Sequence, residues 1–370
     1  VGPKRKRGLR ILPKDQGYFV HVTSRAVGQA FLFGEEEKRV FRSKMSGWAD
    51  FSGIQVLTHC LMDNHVHLFL WVPAPQPELP HAEIRRRLEP VWPEEKLADW
   101  EAFYAAQSAE RKAAMDRAVA ERMGNLPEFM RVLKQSFTRW YNRRNDRRGT
   151  LWDCRYRSVV VENTPLALMS VAAYVDLNPV RAGLTEDPAD YAWSGYGRAA
   201  GGDRTARRGL ETLVRGARGW QPGSAERARR NQLRKEGAGW EQAAETLQEE
   251  HHRRAAPRGW NDVESAYRIW LYHKGSDGSD DPWNRGRRRG RGGVDPHRVL
   301  EEYERRGEVP GAEALRRRIR AFSRGAGLGS PGFLQELMEM YRGCFGPKRA
   351  RAARSVKGLP PGVDALRQVE

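Results

Sequence analysis

The feature that most constrains this chain is a pair of apolar segments joined by a short polar turn. Residues 54–60 read as a strand, Met62-Asp63-Asn64 as a turn, and residues 65–72 as a second strand rich in apolar and aromatic side chains. Two such segments fold as an antiparallel hairpin. The second strand opens with His65-Val66-His67. In a strand, residues i and i+2 share a face, so both imidazoles can reach one metal ion while Val66 points into the core. Two histidines do not complete a metal site, and a bare His-x-His is commonly just a pair of partly exposed strand residues.

The surroundings of the hairpin set the fold class. Residues 18–23 read as another strand, and residues 35–48 as an amphipathic helix with Val40, Phe41, Met45 and Trp48 at helical spacing. Strand, helix, strand, turn, strand predicts an α+β fold with helices packed on an antiparallel sheet. Four prolines between residues 73 and 80 interrupt the pattern, and the charged, helical stretch that follows reads as an insertion of about residues 77–125. Residues 126–144 form a strong helix pattern, with Phe129, Leu133, Phe137 and Tyr141 spaced four apart and Arg131, Lys134, Arg139, Arg143 and Arg144 alongside. Residues 151–161 alternate basic and apolar side chains and read as a strand that sets Arg155 and Arg157 on one face.

A second group of candidate residues lies in Tyr174-Val175-Asp176-Leu177-Asn178. Thr164-Pro165 is a helix start, with a capping hydroxyl and a proline in the first turn, and the helix is expected to end at Asn178, because Pro179 restricts the residue before it. Tyr174 and Asn178, four apart, would then share a face. The Asn178 carbonyl oxygen is a hard donor suited to Mg or Mn. The ordinary alternatives are a tyrosine packed in the core and an asparagine that simply stops a helix.

Charge narrows the partner. Lys and Arg number 65 and Asp and Glu 47, a net +18, which points to a polyanion. Hydrophobic residues make up 39%, too many for a disordered basic tail, and no apolar run approaches the roughly 20 residues of a membrane-spanning helix. The basic start, Lys4 to Arg7, is unlike a signal peptide, and Cys60, Cys154 and Cys344 form no CxxC pair, so a reducing cytoplasm, near the nucleoid, is expected.

Three stretches taken together resemble the REP-associated tyrosine transposases of the single-tyrosine HUH endonuclease superfamily. They are His59-Cys60-Leu61-Met62-Asp63-Asn64-His65-Val66-His67-Leu68, Gly149-Thr150-Leu151-Trp152 through Arg157-Ser158-Val159, and Tyr174-Val175-Asp176-Leu177-Asn178-Pro179-Val180-Arg181-Ala182-Gly183-Leu184. The resemblance covers roughly residues 15–200. It implies a ferredoxin-like antiparallel sheet flanked by helices, and metal-dependent cleavage of single-stranded DNA near palindromic hairpins through a 5′-phosphotyrosine. By position it implies His65 and His67 as metal ligands, Asn178 as a third ligand, Tyr174 as the nucleophile, and Mg or Mn as the metal. No dedicated general base is apparent, and His59 reads as packing or as support for the ligands.

Around that core, Arg139, Arg143, Arg144, Arg155 and Arg157 read as a groove for DNA phosphates, and Trp152, Trp193 and Tyr196 as possible stacking or core aromatics. Beyond a catalytic region of residues 1–200, a basic helical segment and linker is expected over 201–293 and a mainly helical region over 294–370. There, Arg316, Arg317 and Arg320 lie on a helix, residues 325–329 read as a glycine turn, and a further helix starts at Ser330-Pro331, a helix-turn-helix pattern. The expected partner is single-stranded or hairpin DNA, the simplest oligomeric state a monomer. The competing reading is a hairpin-binding protein without catalysis; a large replication initiator is disfavoured, because no GxxxxGK[ST] motif occurs.

Overall fold

The computed structural model describes residues 11–13, 15–76, 78–215, 260, 263–264, 267–268, 271, 322, 325–342, 345, 353–356 and 363–367. The chain divides into two compact units. The first comprises Leu12–Val56 and Leu61–Tyr156; the second comprises Val1–Ile11, Leu57–Cys60 and Arg157–Glu370. Strands and helices are mixed, and the described strand pairings are mostly antiparallel, as an α+β chain requires.

In the first unit, β1 (Tyr18–Arg25) pairs antiparallel with β3 (His65–Val72), in a register that sets Arg25 opposite His65, Thr23 opposite His67 and His21 opposite Phe69. The strand β2 (Gln55–Leu61), whose Leu57–Cys60 belong to the second unit, precedes the predicted turn, which closes with the Met62 N–H donating to the His65 carbonyl at 2.9 Å. Helix α1 (Glu35–Ser52) runs one turn past its expected end, because Phe51 and Ser52 are buried and Gly53, at φ 66°, supplies the left-handed stop. The charged stretch folds as α2 (His81–Leu88), α3 (Glu94–Ala105) and α4 (Ala109–Ala120), whose apolar residues Ile84, Leu88 and Leu97 gather on Phe51 and Met123. Helix α5 (Leu126–Arg144) matches the predicted bounds and is capped by the Asn125 side chain, which accepts from the Glu128 N–H at 3.0 Å. Its Phe137 meets Phe41 of α1 edge-on at 5.1 Å, the centre of this unit's aromatic core.

In the second unit, β4 (Arg157–Val161) pairs parallel with β5 (Gly325–Gly329), and β5 pairs antiparallel with β6 (Asp364–Arg367). The helices are α6 (Pro165–Asp176), α7 (Asn178–Arg181), α8 (Gly195–Ala200), α9 (Arg204–Arg215) and α10 (Pro331–Met340). Among the described residues no helix is long and apolar enough to cross a membrane.

Three local expectations are corrected. First, residues 325–329 are not the turn of a helix-turn-helix but a fully buried strand. The glycines serve close approach: a Cβ on Gly327 would come within 2.7 Å of Leu337 on α10, and one on Gly329 within 2.5 Å of the Glu162 Cβ. A glycine-rich string reads as a turn when its neighbours are unknown. The described part of the C-terminal region therefore contributes strands as well as a helix.

Second, the strand expected over 151–161 forms only at Arg157–Val161; residues 151–156 are irregular apart from one bridge, Trp152 to Ala26. Arg155 consequently precedes the strand and shares no strand face with Arg157. Third, the helix bearing Tyr174 ends at Asp176, not at Asn178. Leu177, at φ −86° and ψ 0°, breaks the run, and Asn178 begins α7 with Pro179 in its first turn, where a missing N–H costs nothing. Most of the basic segment and linker expected over 201–293, and the Arg316, Arg317 and Arg320 positions of the expected helix, lie outside the described residues.

Candidate functional site

The two groups of predicted residues fall in different units: His65 and His67 in the first, Tyr174 and Asn178 in the second.

The turn ahead of His65 is clamped from several sides. Ala26 N–H donates to the Asn64 carbonyl and Phe33 N–H to the Asp63 carbonyl, each at 2.9 Å. Lys38, buried on α1, reaches Asp63 Oδ1 at 2.5 Å. Strand alternation then puts half-buried His65 and buried His67 on one face, ring centroids 4.9 Å apart, with Val66 in the core. Each ring has its Nδ1 engaged: His65 Nδ1 lies 2.6 Å from Asn64 Oδ1, and His67 Nδ1 lies 3.0 Å from Nε2 of buried His21. A carboxamide oxygen only accepts, so His65 donates from Nδ1, which in the neutral ring leaves the lone pair on Nε2. This donor set fits a divalent metal as two imidazole nitrogens. Imidazole suits Mn and later first-row ions better than Mg. Among the described residues no group of three or more His, Cys, Asp or Glu side chains is arranged to hold a metal.

His21 was not singled out from the sequence. The signal for it is the alternation of β1, Phe19-His21-Thr23-Arg25, which acquires meaning only once the antiparallel register lays that face beside His65 and His67.

In the second unit Tyr174 is 3% exposed. Its ring stacks on Phe322, centroids 4.8 Å apart and planes 19° apart, and the Arg181 guanidinium lies 5.4 Å from its centroid. Arg181 also donates to the Tyr174 carbonyl at 3.2 Å. Asn178 turns its amide nitrogen inward, donating to the carbonyls of Tyr174 at 2.8 Å and Val175 at 3.1 Å. It thereby caps the end of α6, and only its Oδ1 remains to serve as a ligand.

Two residues past Tyr174, fully buried Asp176 joins three parts of this unit. It accepts from Thr58 of β2 at 2.8 Å, from the Tyr267 hydroxyl at 2.5 Å and from the Tyr196 N–H of α8 at 3.2 Å. Burial pushes its carboxyl up to about 7, against the pull of those hydrogen bonds. Burial likewise raises Tyr267, followed by the adjacent Asp176 charge. Asp176 lies inside a quoted motif but received no role from the sequence, and Thr58 carries no motif signal; their pairing is visible only in three dimensions.

Arg139, Arg143 and Arg144 are exposed on α5, with the Arg144 guanidinium 5.9 Å from the half-buried Trp140 ring. Lys44, half-buried nearby, is held below the usual lysine range chiefly by burial and further by Arg139. Arg155 and Arg157 are exposed, and Arg316, Arg317 and Arg320 lie outside the described residues. Of the aromatics, Tyr196 is fully buried, and Trp152 packs on Phe33, Phe41 and Phe137 while donating from Nε1 to Thr138 at 3.1 Å, so both are core; Trp193 is half-buried. His59 is 5% exposed on β2.

No family model matches the chain, and no curated protein matches it. Among solved structures, the chain is similar to that of a REP-associated tyrosine transposase bound to a REP hairpin, at 12% identity and a TM-score of 0.34, over 56% of this chain and 90% of that one. At that identity and score the relationship is a distant structural one.

Proposed function

We propose that this chain is a metal-dependent single-strand DNA endonuclease and strand transferase, with a ferredoxin-like catalytic core, acting at hairpin-forming repeats. The observation that carries the reading is the His65–His67 pair: two imidazoles on one strand face, each held through Nδ1, behind a turn clamped by Lys38 of α1 and the backbone of Ala26 and Phe33. His65, His67 and the Asn178 oxygen would hold a divalent ion, Mg or Mn, which when bound polarises the scissile phosphate. The Tyr174 phenol attacks phosphorus, its proton passes to solvent, the bond to the 3′-oxygen breaks, and that oxygen leaves as a hydroxyl after protonation. The 5′-phosphotyrosine keeps the phosphoester energy, so a 3′-hydroxyl can reverse the step without ATP. Exposed Arg139, Arg143, Arg144, Arg155 and Arg157 would hold the strand by its phosphates.

The test is incubation of the protein with hairpin and linear duplex DNA, with and without Mg or Mn, followed by a denaturing gel. A covalent protein–DNA band that needs metal and single-stranded DNA supports the reading, and its absence under all conditions rejects catalysis.

A second reading, a hairpin-binding protein without catalysis, is favoured by one observation: Tyr174 is 3% exposed beneath Phe322. Under the enzymatic reading Phe322 must swing away when DNA binds. Phe322→Ala should then raise adduct yield, whereas under the second reading neither the wild type nor Phe322→Ala forms one.

A further inference from the structure

We infer that His21 is a positioning residue for the metal site, an inference that rests on the proposed role of His65 and His67. His21 is 1% exposed, in the middle of β1, and its ring lies parallel to that of His67, centroids 5.2 Å apart and planes 7° apart. Its Nε2 is 3.0 Å from His67 Nδ1. An imidazole that ligates a metal through Nε2 must carry its proton on Nδ1. His67 Nδ1 therefore donates, and His21 Nε2 accepts. The arrangement mirrors the Asn64 contact on His65, in which Oδ1 accepts from Nδ1 at 2.6 Å.

The two ligands thus receive matched support from different elements. Asn64 comes from the turn and is next in sequence to His65. His21 comes from the neighbouring strand, diagonal to His67, with Thr23 directly opposite. Each acceptor fixes a tautomer and a ring rotation, which is how groups behind a metal-bound histidine raise affinity. His21 does not itself ligate through Nε2, because that atom is held against His67. A packing role alone predicts something different: a buried ring at this position would be replaced without loss by another flat apolar ring.

The experiment titrates manganese(II) into metal-free full-length protein by calorimetry, with circular dichroism melting of each metal-free variant alongside. His21→Phe keeps the ring and removes the acceptor. His21→Gln places an amide oxygen where Nε2 stood, and His21→Asn keeps an amide but is too short to reach Nδ1. The account expects His21→Phe and His21→Asn to bind manganese about 10- to 100-fold more weakly than the wild type, and His21→Gln to recover to within a few-fold. Metal affinity is then ranked opposite to stability, since phenylalanine suits a buried site better than glutamine does. Wild-type affinity in His21→Phe, or equal affinity in His21→Gln and His21→Asn, overturns the positioning role; the second comparison stands even if His21→Phe fails to fold. If the wild type binds no manganese, or binds it unchanged after His65→Ala, the metal reading itself fails and the role of His21 falls with it.

Discussion

At the residue scale the account turns on a few atoms. Tyr174→Phe removes one oxygen and leaves the ring stacked on Phe322, so melting and DNA binding should stay near wild type while the covalent adduct disappears. Asn178→Ala should do more than loosen a metal. Its amide caps two α6 carbonyls, so the variant should lose about 1 kcal/mol of stability in denaturant melts as well as part of its manganese affinity. An unchanged melt would mean the cap is not needed. The shared strand face of His65 and His67 was legible in the sequence because an i, i+2 spacing on a strand is local. The sequence concealed His21 and Asp176, which have partners 46 and 118 residues away in sequence. A buried polar side chain is defined by what satisfies it, and that partner is not local.

At the element scale, α6 is tied into its unit through Asp176. The folded state holds this carboxyl proton up to about pH 7, whereas an unfolded chain releases it near the ordinary value of 3.8. Between those values the native state binds more protons, so its stability should fall as pH rises from about 4 to about 7 and flatten above. Asp176→Asn should remove that slope, and an identical pH profile in the variant would contradict the assignment. The C-terminal region is tied to its unit by contacts of its own. Leu328 accepts from the Glu162 N–H at 2.8 Å, Glu162 holds Ser330 at the start of α10, and Gly327 lets α10 approach β5. A chain cut near residue 205 would lose β5 from the edge of β4, Tyr267 from Asp176 and Phe322 from Tyr174, and should melt earlier than the full chain. Gly327→Val should cost about 1–3 kcal/mol by overpacking against Leu337. Helices α1 and α5 were legible because their periodicity is local and strong, and strand β3 because an apolar run follows a turn. Strand β5 was not, because glycine answers to a neighbouring element.

At the scale of the whole molecule, net charge +18 and the exposed arginines of α5 bear on partners, not on folding, and under the proposed function that partner is DNA. Affinity for a single-stranded hairpin should fall with salt by about 0.7–0.9 in log–log slope per phosphate neutralised, and Arg139→Ala, Arg143→Ala or Arg144→Ala should each reduce the slope by about 1. A slope unchanged in all three variants would move the DNA surface elsewhere. The central claim, that Tyr174 becomes covalently joined to DNA, is tested most directly by peptide mapping of the protein–DNA adduct formed on a hairpin substrate with manganese. The account predicts that the nucleotide remnant lies on the peptide containing Tyr174 and is lost in Tyr174→Phe. A remnant on Tyr141, Tyr156, Tyr191 or Tyr196, or an adduct that persists in Tyr174→Phe, would contradict it.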